Sequence, residues 1–367
     1  MIVHLFEDEK FVDTTIEKFE AISEGRNRYI VFSNKKQLMH PKKINKIEIY
    51  PNSWRKLNLY SIFNNCSLLV VHYLSPIKWY IVKNKPEQLK VVWMVWGKDA
   101  YDYFESYEQF EPVTKTYLKT NWRTKFKNTI FYDIYHKFIY GVYSINKEKD
   151  ISHKINYLTT VLPTEFELIK SEFNLKADFI PYNYDSLNHL LSNDKNHQLG
   201  GNILIGNSAT PSNNHLDVFD KLKNIEHKII VPLNYGEKYY KRLIIQKGHE
   251  KFGPKFQPLT TFIPFDEYQK IVFSCNSMVM HHIRQQGLGN ILLALYVGIR
   301  VFLNNKSSTY NYFKHIGFKI NDIEQDIDLL GVELKQEEKL LNKTMVKKYY
   351  GLEKIYEGTS NVINLAN

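Results

Sequence analysis

Short apolar runs alternate with helix-length segments along almost the whole chain, and this alternation is the strongest constraint on its fold. The runs are rich in β-branched and aromatic residues and contain little polar alternation, which is typical of parallel strands buried on both faces. The pattern predicts an open α/β sheet rather than an all-α or all-β protein. We expect one series of strands at residues 2–6, 29–32, 46–50, 68–72, 91–96, 157–162 and 177–180. A second series is expected at 202–205, 228–232, 277–281 and 300–303, and the short run at 259–263 is a further candidate strand.

A polar stretch that ends in Gly200 and Gly201 separates the two series, and we place the domain boundary there. The predicted organisation is an N-terminal domain at 1–185, a linker at 186–201, a C-terminal domain at 202–350 and a terminal helix at 351–367. That last helix is expected to pack back on the N-terminal domain. Two Rossmann-like halves of this kind place ligands at the carboxyl ends of their strands.

Composition excludes several classes of protein. With 43% hydrophobic and 14% aromatic residues the chain can form packed cores and is not intrinsically disordered. Its two cysteines, Cys66 and Cys275, lie far apart, which argues against a disulfide framework and favours a reducing compartment. No stretch reaches the ~20 uncharged apolar residues that cross a bilayer, and the first residues lack the features of a signal peptide. We expect a cytoplasmic protein that is soluble or peripheral on a membrane.

The first candidate site follows the expected strand at 202–205. Gly206, Asn207 and Ser208 begin a turn of small polar residues that reaches Asn214 and leads into a helix. Such a turn can present backbone N–H groups and a helix N-terminus to a phosphate. The alternative is that its hydroxyl and amide groups only cap the helix.

The second candidate site follows the expected strand at 277–281, where polar residues stand between two strongly apolar segments. They include two imidazoles, a guanidinium, amides and glycines, which together suit a departing diphosphate. The residues are His281, His282, Arg284, Gln285, Gln286, Gly287, Gly289 and Asn290. Because no HExxH motif or carboxylate cluster accompanies them, we expect neither a metal nor another cofactor.

Asp99 follows the expected strand at 91–96 and is a candidate general base that faces the ligand cleft. His281 is the second candidate for this role. The alternative for Asp99 is that it caps the helix that follows.

Residues 113–140 combine basic and aromatic side chains and carry six of the Lys and Arg residues against one acid, Asp133. The segment therefore holds half of the net charge of +10. Such a composition suits an anionic membrane or lipid substrate, a helix with a solvated basic face, or single-stranded nucleic acid. The candidate membrane and acceptor residues are Lys115, Lys119, Trp122, Arg123, Lys125 and Lys127.

Several of these pieces, between about residues 90 and 305, resemble a known family. They are Gly206-Asn207-Ser208 with Ser212-Asn213-Asn214-His215, Val-Pro-Leu-Asn-Tyr-Gly at 231–236, Pro-Phe-Asp-Glu-Tyr at 264–268, Arg-Gln-Gln-Gly-Leu-Gly at 284–289 and Trp-Gly-Lys-Asp-Ala-Tyr at 96–101. The family is that of the bacterial TDP-N-acetylfucosamine:lipid II N-acetylfucosaminyltransferases of enterobacterial common antigen synthesis, glycosyltransferase family 56. Ala209, Thr210 and Pro211 stand where a relative in the family is more charged, which leaves the donor sugar open.

The resemblance implies a GT-B glycosyltransferase whose C-terminal domain binds a TDP- or UDP-sugar. It implies a polyprenyl-diphosphate-linked glycan as acceptor, in enterobacterial common antigen or O-antigen synthesis at the inner membrane, without nucleic acid. The diphosphate and sugar would contact the two candidate sites above. The nucleoside would contact Pro232, Asn234, Tyr235, Gly236, Phe265, Asp266 and Tyr268. The alternatives are a GT-B enzyme with a soluble or protein acceptor, and a basic nucleic-acid-binding protein.

Overall fold

The computed structural model describes residues 1–35, 37–104, 108–119, 130–143, 151–184, 198–223 and 225–367. The chain divides into two compact units. Unit 1 comprises Met1–Tyr107, Lys125–Ser186 and Leu352–Asn367, and unit 2 comprises Glu108–Thr124 and Leu187–Gly351.

Unit 1 contains a parallel sheet of seven described strands in the order β3-β2-β1-β4-β5-β6-β7. Its inner strands are buried on both faces, because helices cover the sheet on each side, and this accounts for their continuous apolar sequences. The strand expected at 91–96 ends at Met94, and the one expected at 157–162 ends at Thr159. The strands are β1 (Ile2–Glu7), β2 (Asn27–Phe32), β3 (Ile47–Tyr50), β4 (Leu68–His72), β5 (Lys90–Met94), β6 (Tyr157–Thr159) and β7 (Asp178–Phe179).

Unit 2 contains a second parallel sheet, with six described strands in the order β10-β9-β8-β11-β12-β13. The strands are β8 (Asn202–Ile205), β9 (Ile229–Pro232), β10 (Phe256–Leu259), β11 (Cys275–Met280), β12 (Arg300–Leu303) and β13 (Asn321–Asp322). The expectation of a strand at 259–263 was wrong. The strand ends at Leu259, where it pairs with Pro232, and an exposed loop follows it. The two open parallel sheets confirm the predicted α/β class.

Fifteen α-helices are found in the described residues. They are α1 (Val12–Ser23), α2 (Leu59–Phe63), α3 (Pro76–Lys83), α4 (Lys98–Tyr101), α5 (Pro112–Lys119), α6 (Ile130–Tyr140), α7 (Ile151–Lys154), α8 (Pro163–Glu172), α9 (His215–Lys221), α10 (Lys238–Phe252), α11 (Phe265–Phe273), α12 (Leu288–Val297), α13 (Ser308–Ile316), α14 (Gln336–Tyr350) and α15 (Leu352–Asn364). None is long and apolar enough to cross a membrane.

Helix α15 closes one face of the unit 1 sheet. Its residues Val362 and Ile363 are buried in the same apolar cluster as Val12, Ile16 and Phe19 of α1. The last residues of the chain therefore belong to the core of the first unit, although unit 2 precedes them in sequence.

Helix α5 lies in unit 2, although the sequence places it within the first half of the chain. The Asp217 carboxylate of α9 accepts hydrogen bonds from the backbone N–H groups of Val113 and Thr114, at 2.8 and 3.1 Å, and from the Thr114 hydroxyl at 2.7 Å. A carboxylate at a helix N-terminus satisfies free N–H groups and interacts favourably with the helix dipole. The expected N-terminal domain at 1–185 therefore lacks this helix.

Candidate functional site

The loops after β8 and β11 lie side by side at the carboxyl edge of the unit 2 sheet, because these two strands are direct neighbours in a parallel arrangement. This is the edge at which open α/β sheets bind ligands. The two polar segments singled out in the sequence, beginning at Gly206 and at His281, thus meet in space.

Asn213 is the buried centre of the loop after β8. Its Oδ1 atom accepts a hydrogen bond from the Asn207 backbone N–H at 2.9 Å, and its Nδ2 group donates to the Thr210 hydroxyl at 2.8 Å. Gly206 has a φ of 69°, and a Cβ atom there would lie 2.5 Å from Nε2 of His215, so only glycine fits. These hydrogen bonds and the glycine requirement at position 206 together stabilise this conformation of the loop.

His282 connects the loop after β11 to this centre. Its Nε2 atom lies 2.9 Å from Oδ1 of Asn213. Because that oxygen is an acceptor, the imidazole carries its proton on Nε2. Burial, with a smaller contribution from the Arg284 charge, holds the pKa of His282 well below its usual range, so the ring is neutral.

Gln286 forms a second connection between the loops. Its Nε2 group donates to Oδ1 of Asn207 at 2.9 Å and to the Thr210 hydroxyl at 3.1 Å, while its Oε1 atom accepts from the Ser212 hydroxyl at 2.6 Å. Nη2 of Arg284 donates to the same Ser212 hydroxyl at 3.4 Å. A half-buried guanidinium thus stands beside a ring of hydroxyl and amide groups.

Helix α12 begins immediately after this loop. Gly287 has a φ of 66° and immediately precedes the helix, and a Cβ atom there would lie 3.2 Å from Cγ of Asn207. Gly289 and Asn290 lie in the first turn of the helix, whereas Gln285 is buried next to Arg284 in the loop. The positive end of a ten-residue helix therefore adjoins the loop after β8, which is the arrangement that binds phosphates in many proteins.

The loop after β9 lies against the loop after β8. The Tyr235 hydroxyl accepts a hydrogen bond from Nδ2 of Asn207 at 3.1 Å, and the Ala209 backbone N–H donates to the Tyr235 carbonyl at 2.7 Å. Gly236 has a φ of 120°, and a Cβ atom there would approach the Ala209 backbone to 2.5 Å. Pro232 is the buried last residue of β9, and Asn234 is half-buried.

Phe265, Asp266 and Tyr268 form the start of α11, which follows β10 at the same edge of the sheet. Phe265 and Asp266 are exposed. Tyr268 is half-buried, and burial, together with a smaller effect of Tyr235, raises its pKa. The structure thus brings Tyr268 near Tyr235 and leaves Phe265 and Asp266 on the surface.

His281 lies at the end of β11 and is 0% exposed. Neither of its ring nitrogens has a hydrogen-bond partner among the described residues. Its backbone carbonyl accepts a hydrogen bond from Nδ2 of Asn214 at 2.9 Å, and Oδ1 of Asn214 accepts from the Glu111 backbone N–H at 3.0 Å. Burial lowers the pKa of His281, and the nearby Glu111 carboxylate opposes that effect.

Glu111 was not found by sequence reasoning, yet it is nearly buried beside this edge of the sheet. Its Oε1 atom accepts from Nδ2 of Asn304 at 2.7 Å and from Nζ of Lys306 at 3.0 Å. Burial would raise the pKa of Glu111, but these two hydrogen bonds, together with the charges of His281 and Lys306, outweigh it and leave the pKa below its usual range. Because its partners lie more than 190 positions away, no local pattern marks this carboxylate.

The geometry of Asp99 does not support the role of a general base facing a cleft. The residue lies in unit 1, and both oxygens of its carboxylate accept hydrogen bonds from the protein, three in all. Oδ2 accepts from the Leu74 backbone N–H at 2.9 Å and from Nε1 of Trp93 at 2.8 Å, and Oδ1 accepts from the Trp96 backbone N–H at 2.9 Å. The residue before α4 is Gly97, so Asp99 is not the N-cap either. The carboxylate instead connects the ends of β4 and β5.

The predicted basic patch is only partly described. Lys115 lies on α5 in unit 2 and forms an ion pair with Glu108, and Lys119 ends the same helix. Both residues were expected in the N-terminal domain, and the docking of α5 on α9 explains the difference. Trp122, Arg123, Lys125 and Lys127 lie outside the described residues. In the described part of the chain, no group of three or more His, Cys, Asp or Glu residues could hold a metal ion.

The fold is shared with several solved enzymes. A glycosyltransferase from Rickettsia africae is similar with a TM-score of 0.64 and 12% identity, over 99% of this chain and 98% of that chain. Sucrose-phosphate synthase from Thermosynechococcus elongatus is similar with a TM-score of 0.62 and 10% identity, over 99% of this chain and 98% of that chain. An Anabaena protein solved in complex with UDP and glucose has a TM-score of 0.53 and 10% identity, over 99% and 100%.

The two parallel Rossmann-like sheets thus give the chain the GT-B fold, which these solved proteins share. The sequence then narrows the class, since residues 168–339 match the family described as 4-alpha-L-fucosyltransferase, glycosyl transferase group 56. The match includes both polar loops of unit 2. It confirms the predicted resemblance to glycosyltransferase family 56 over that part of the chain.

Proposed function

We propose that the protein transfers a hexosyl group from a TDP- or UDP-sugar to a polyprenyl-diphosphate-linked oligosaccharide during bacterial surface polysaccharide synthesis. The proposed sugar is of the 4-amino-4,6-dideoxy type, such as N-acetylfucosamine. One observation carries the proposal: the loops after β8 and β11 are interlocked into a polar surface beside Arg284 and the N-terminus of α12.

This surface suits the donor diphosphate. Arg284 supplies a positive charge, and the start of α12, which lies next to Asn207, supplies backbone N–H groups. Such groups stabilise the negative charge that develops when the bond between C1 of the sugar and the phosphate oxygen breaks. The complex of the similar Anabaena protein with UDP and glucose supports a donor of this class. Tyr235 and Tyr268 are then the candidates for contact with the nucleoside.

Transfer also requires that the attacking acceptor hydroxyl lose its proton. His281 is our candidate for the proton acceptor, because burial keeps its imidazole neutral and its ring nitrogens have no hydrogen-bond partner among the described residues. Asp99 is less suited to the task, since both of its oxygens accept hydrogen bonds from the protein.

The proposed acceptor is lipid-linked, and the surface of unit 1 supports a peripheral membrane location at the cytoplasmic face of the inner membrane. Helix α6 exposes Ile134, Tyr135, Phe138 and Ile139, with Phe138 at 67% exposure, and Lys137 lies among them. Apolar and aromatic side chains interspersed with lysine suit the interface of an anionic bilayer.

Binding of nucleoside diphosphates tests the proposal. TDP, UDP, GDP and ADP are titrated into the full chain while the melting temperature is followed, because a ligand at 100 times its Kd stabilises the folded state by about 2.7 kcal/mol. We expect TDP or UDP to give the largest shift. If none of the four raises the melting temperature, the donor assignment is wrong.

A further inference from the structure

A cavity of about 390 Å³ adjoins the loop after β11 in unit 2. It is formed by the start of α5, the loop after β11 and the loop after β12. Its lining residues are Glu108, Phe110, Glu111, Pro112, Lys115, Thr116, Ile283 and Lys306. None of them except Lys115 was singled out by the sequence.

One residue, Ile283, connects the cavity to the proposed diphosphate site. Ile283 lines it and lies between His282, which is bonded to Asn213, and Arg284, which is bonded to Ser212. The cavity and the proposed diphosphate site therefore share the loop after β11.

The charges of the cavity are balanced. Lys306 contacts both carboxylate oxygens of Glu111, at 3.0 and 3.2 Å, and Lys115 is paired with Glu108. Two cations and two carboxylates give no net charge, which is unsuited to a further phosphate. Carboxylate and ammonium groups do suit the hydroxyl or acylamino groups of a neutral sugar.

The remaining walls and the size also suit a sugar. Phe110, Pro112 and Ile283 form an apolar part of the lining, which can pack against the C–H face of a pyranose or the methyl group of a 6-deoxyhexose. A volume of about 390 Å³ is near the lower end of the ~300–1,000 Å³ that small-molecule sites occupy. It is better matched to one monosaccharide than to a whole nucleotide sugar.

We propose that this cavity binds the hexosyl group of the nucleoside diphosphate donor, with Glu111 and Lys306 as its polar contacts and α5 as its wall. The inference rests on the proposed function and adds the sugar subsite to it. Helix α5, which Lys125–Ser186 of unit 1 separate from the rest of unit 2 in the sequence, thus determines which sugar is accepted.

The test compares nucleotide and nucleotide-sugar binding by calorimetry. The probes are TDP, TDP-glucose, TDP-rhamnose, UDP, UDP-glucose and UDP-N-acetylglucosamine. In Thr116→Trp a large side chain enters the cavity from exposed helix α5, where the native hydroxyl bonds only to the Pro112 carbonyl among the described atoms. Thr344→Trp, on the exposed side of α14, is the matched control.

We expect at least one sugar nucleotide to bind the native protein more tightly than its parent diphosphate. Thr116→Trp should weaken the binding of that sugar nucleotide about tenfold or more and change the affinity for the parent diphosphate by no more than about twofold. Thr344→Trp should change neither affinity. Glu111→Gln should reduce the same difference without blocking the cavity.

Three results would overturn the proposal. The first is that no sugar nucleotide binds more tightly than its parent diphosphate, which removes the sugar subsite and leaves the donor site intact. The second is that Thr116→Trp weakens the diphosphate as much as the sugar nucleotide, or weakens neither. The third is that the native protein binds no nucleoside diphosphate, in which case the proposed function fails first.

Discussion

Nε2 of His282 lies 2.9 Å from Oδ1 of Asn213, and this buried hydrogen bond connects the loops that follow two neighbouring strands of the unit 2 sheet. The same oxygen accepts the Asn207 backbone N–H. One amide side chain therefore holds together the two halves of the proposed diphosphate site.

Replacement of Asn213 by alanine should disturb both loops. The Asn207 N–H and Nε2 of His282 would be left without an acceptor in a buried place, which costs about 1–3 kcal/mol each when no water replaces the partner. We expect a lower melting temperature and weaker binding of TDP or UDP. Asn311→Ala, at an exposed position of α13, is the control and should stay within about 0.5 kcal/mol of the native stability. Equal behaviour of the two variants would contradict the role of Asn213.

Replacement of Arg284 by alanine should weaken the binding of nucleoside diphosphates about tenfold or more, because a charge-assisted contact with the diphosphate is lost. Arg284→Lys should retain part of the affinity. Thymidine and uridine, which lack phosphates, should bind all three proteins equally. Calorimetry at two salt concentrations measures these constants, and unchanged TDP and UDP affinity in the alanine variant would exclude Arg284 from the site.

Asp99→Asn separates a structural role from a catalytic one. Asparagine has one acceptor oxygen where the carboxylate uses two, so at least one of the hydrogen bonds from Leu74, Trp93 and Trp96 is lost. We expect unit 1 to lose about 1–3 kcal/mol of stability, while turnover below the melting transition persists. Complete loss of turnover in a variant that still melts cooperatively would restore Asp99 as the base.

The stability of unit 2 should fall in acid because of His215. Burial lowers the pKa of this imidazole from 6.5 to about 3, so the unfolded chain binds a proton that the folded chain does not between those values. The free energy of unfolding therefore decreases as the pH falls from about 6.5 to 3, by up to about 1.4 kcal/mol per pH unit for this group. Denaturant titrations at several pH values in this range should show that the free energy of unfolding of His215→Gln falls less with decreasing pH than that of the native protein. If the free energy of unfolding of the variant falls as steeply with decreasing pH as that of the native protein, His215 is not responsible for the loss of stability in acid.

Membrane association is expected to depend on α6. The double variant Ile134→Ser, Phe138→Ser removes two exposed apolar side chains and should abolish flotation with vesicles that contain anionic phosphatidylglycerol. Nucleoside diphosphate binding should remain unchanged. Leu340→Ser, which removes an exposed leucine from α14 in unit 2, should float like the native protein. A native protein that does not float at low salt would favour a soluble or protein acceptor.

The polar loops after β8 and β11 could be recognised from sequence for a simple reason. They directly follow buried strands, and the carboxyl ends of parallel strands share one edge of the sheet. Gly206 and Gly287 both have the left-handed backbone that glycine permits. The same argument misplaced Asp99, which also follows a strand, because it says nothing about the direction of a side chain. The Trp93 indole and two backbone N–H groups needed an acceptor, and the carboxylate turned inward.

The sequence by itself determined the two parallel sheets and the position of the polar loops. A strand that is buried on both faces is a continuous apolar segment, which can be recognised from the neighbouring residues alone. Only the tertiary structure decided that α5 belongs to unit 2 and that Glu111 meets Asn304 and Lys306. Asp217 holds α5 by hydrogen bonds to residues more than a hundred positions earlier in the chain, and Asn304 and Lys306 are still farther from Glu111 in sequence. Such pairings depend on the packing of whole elements and leave no periodic trace in the chain.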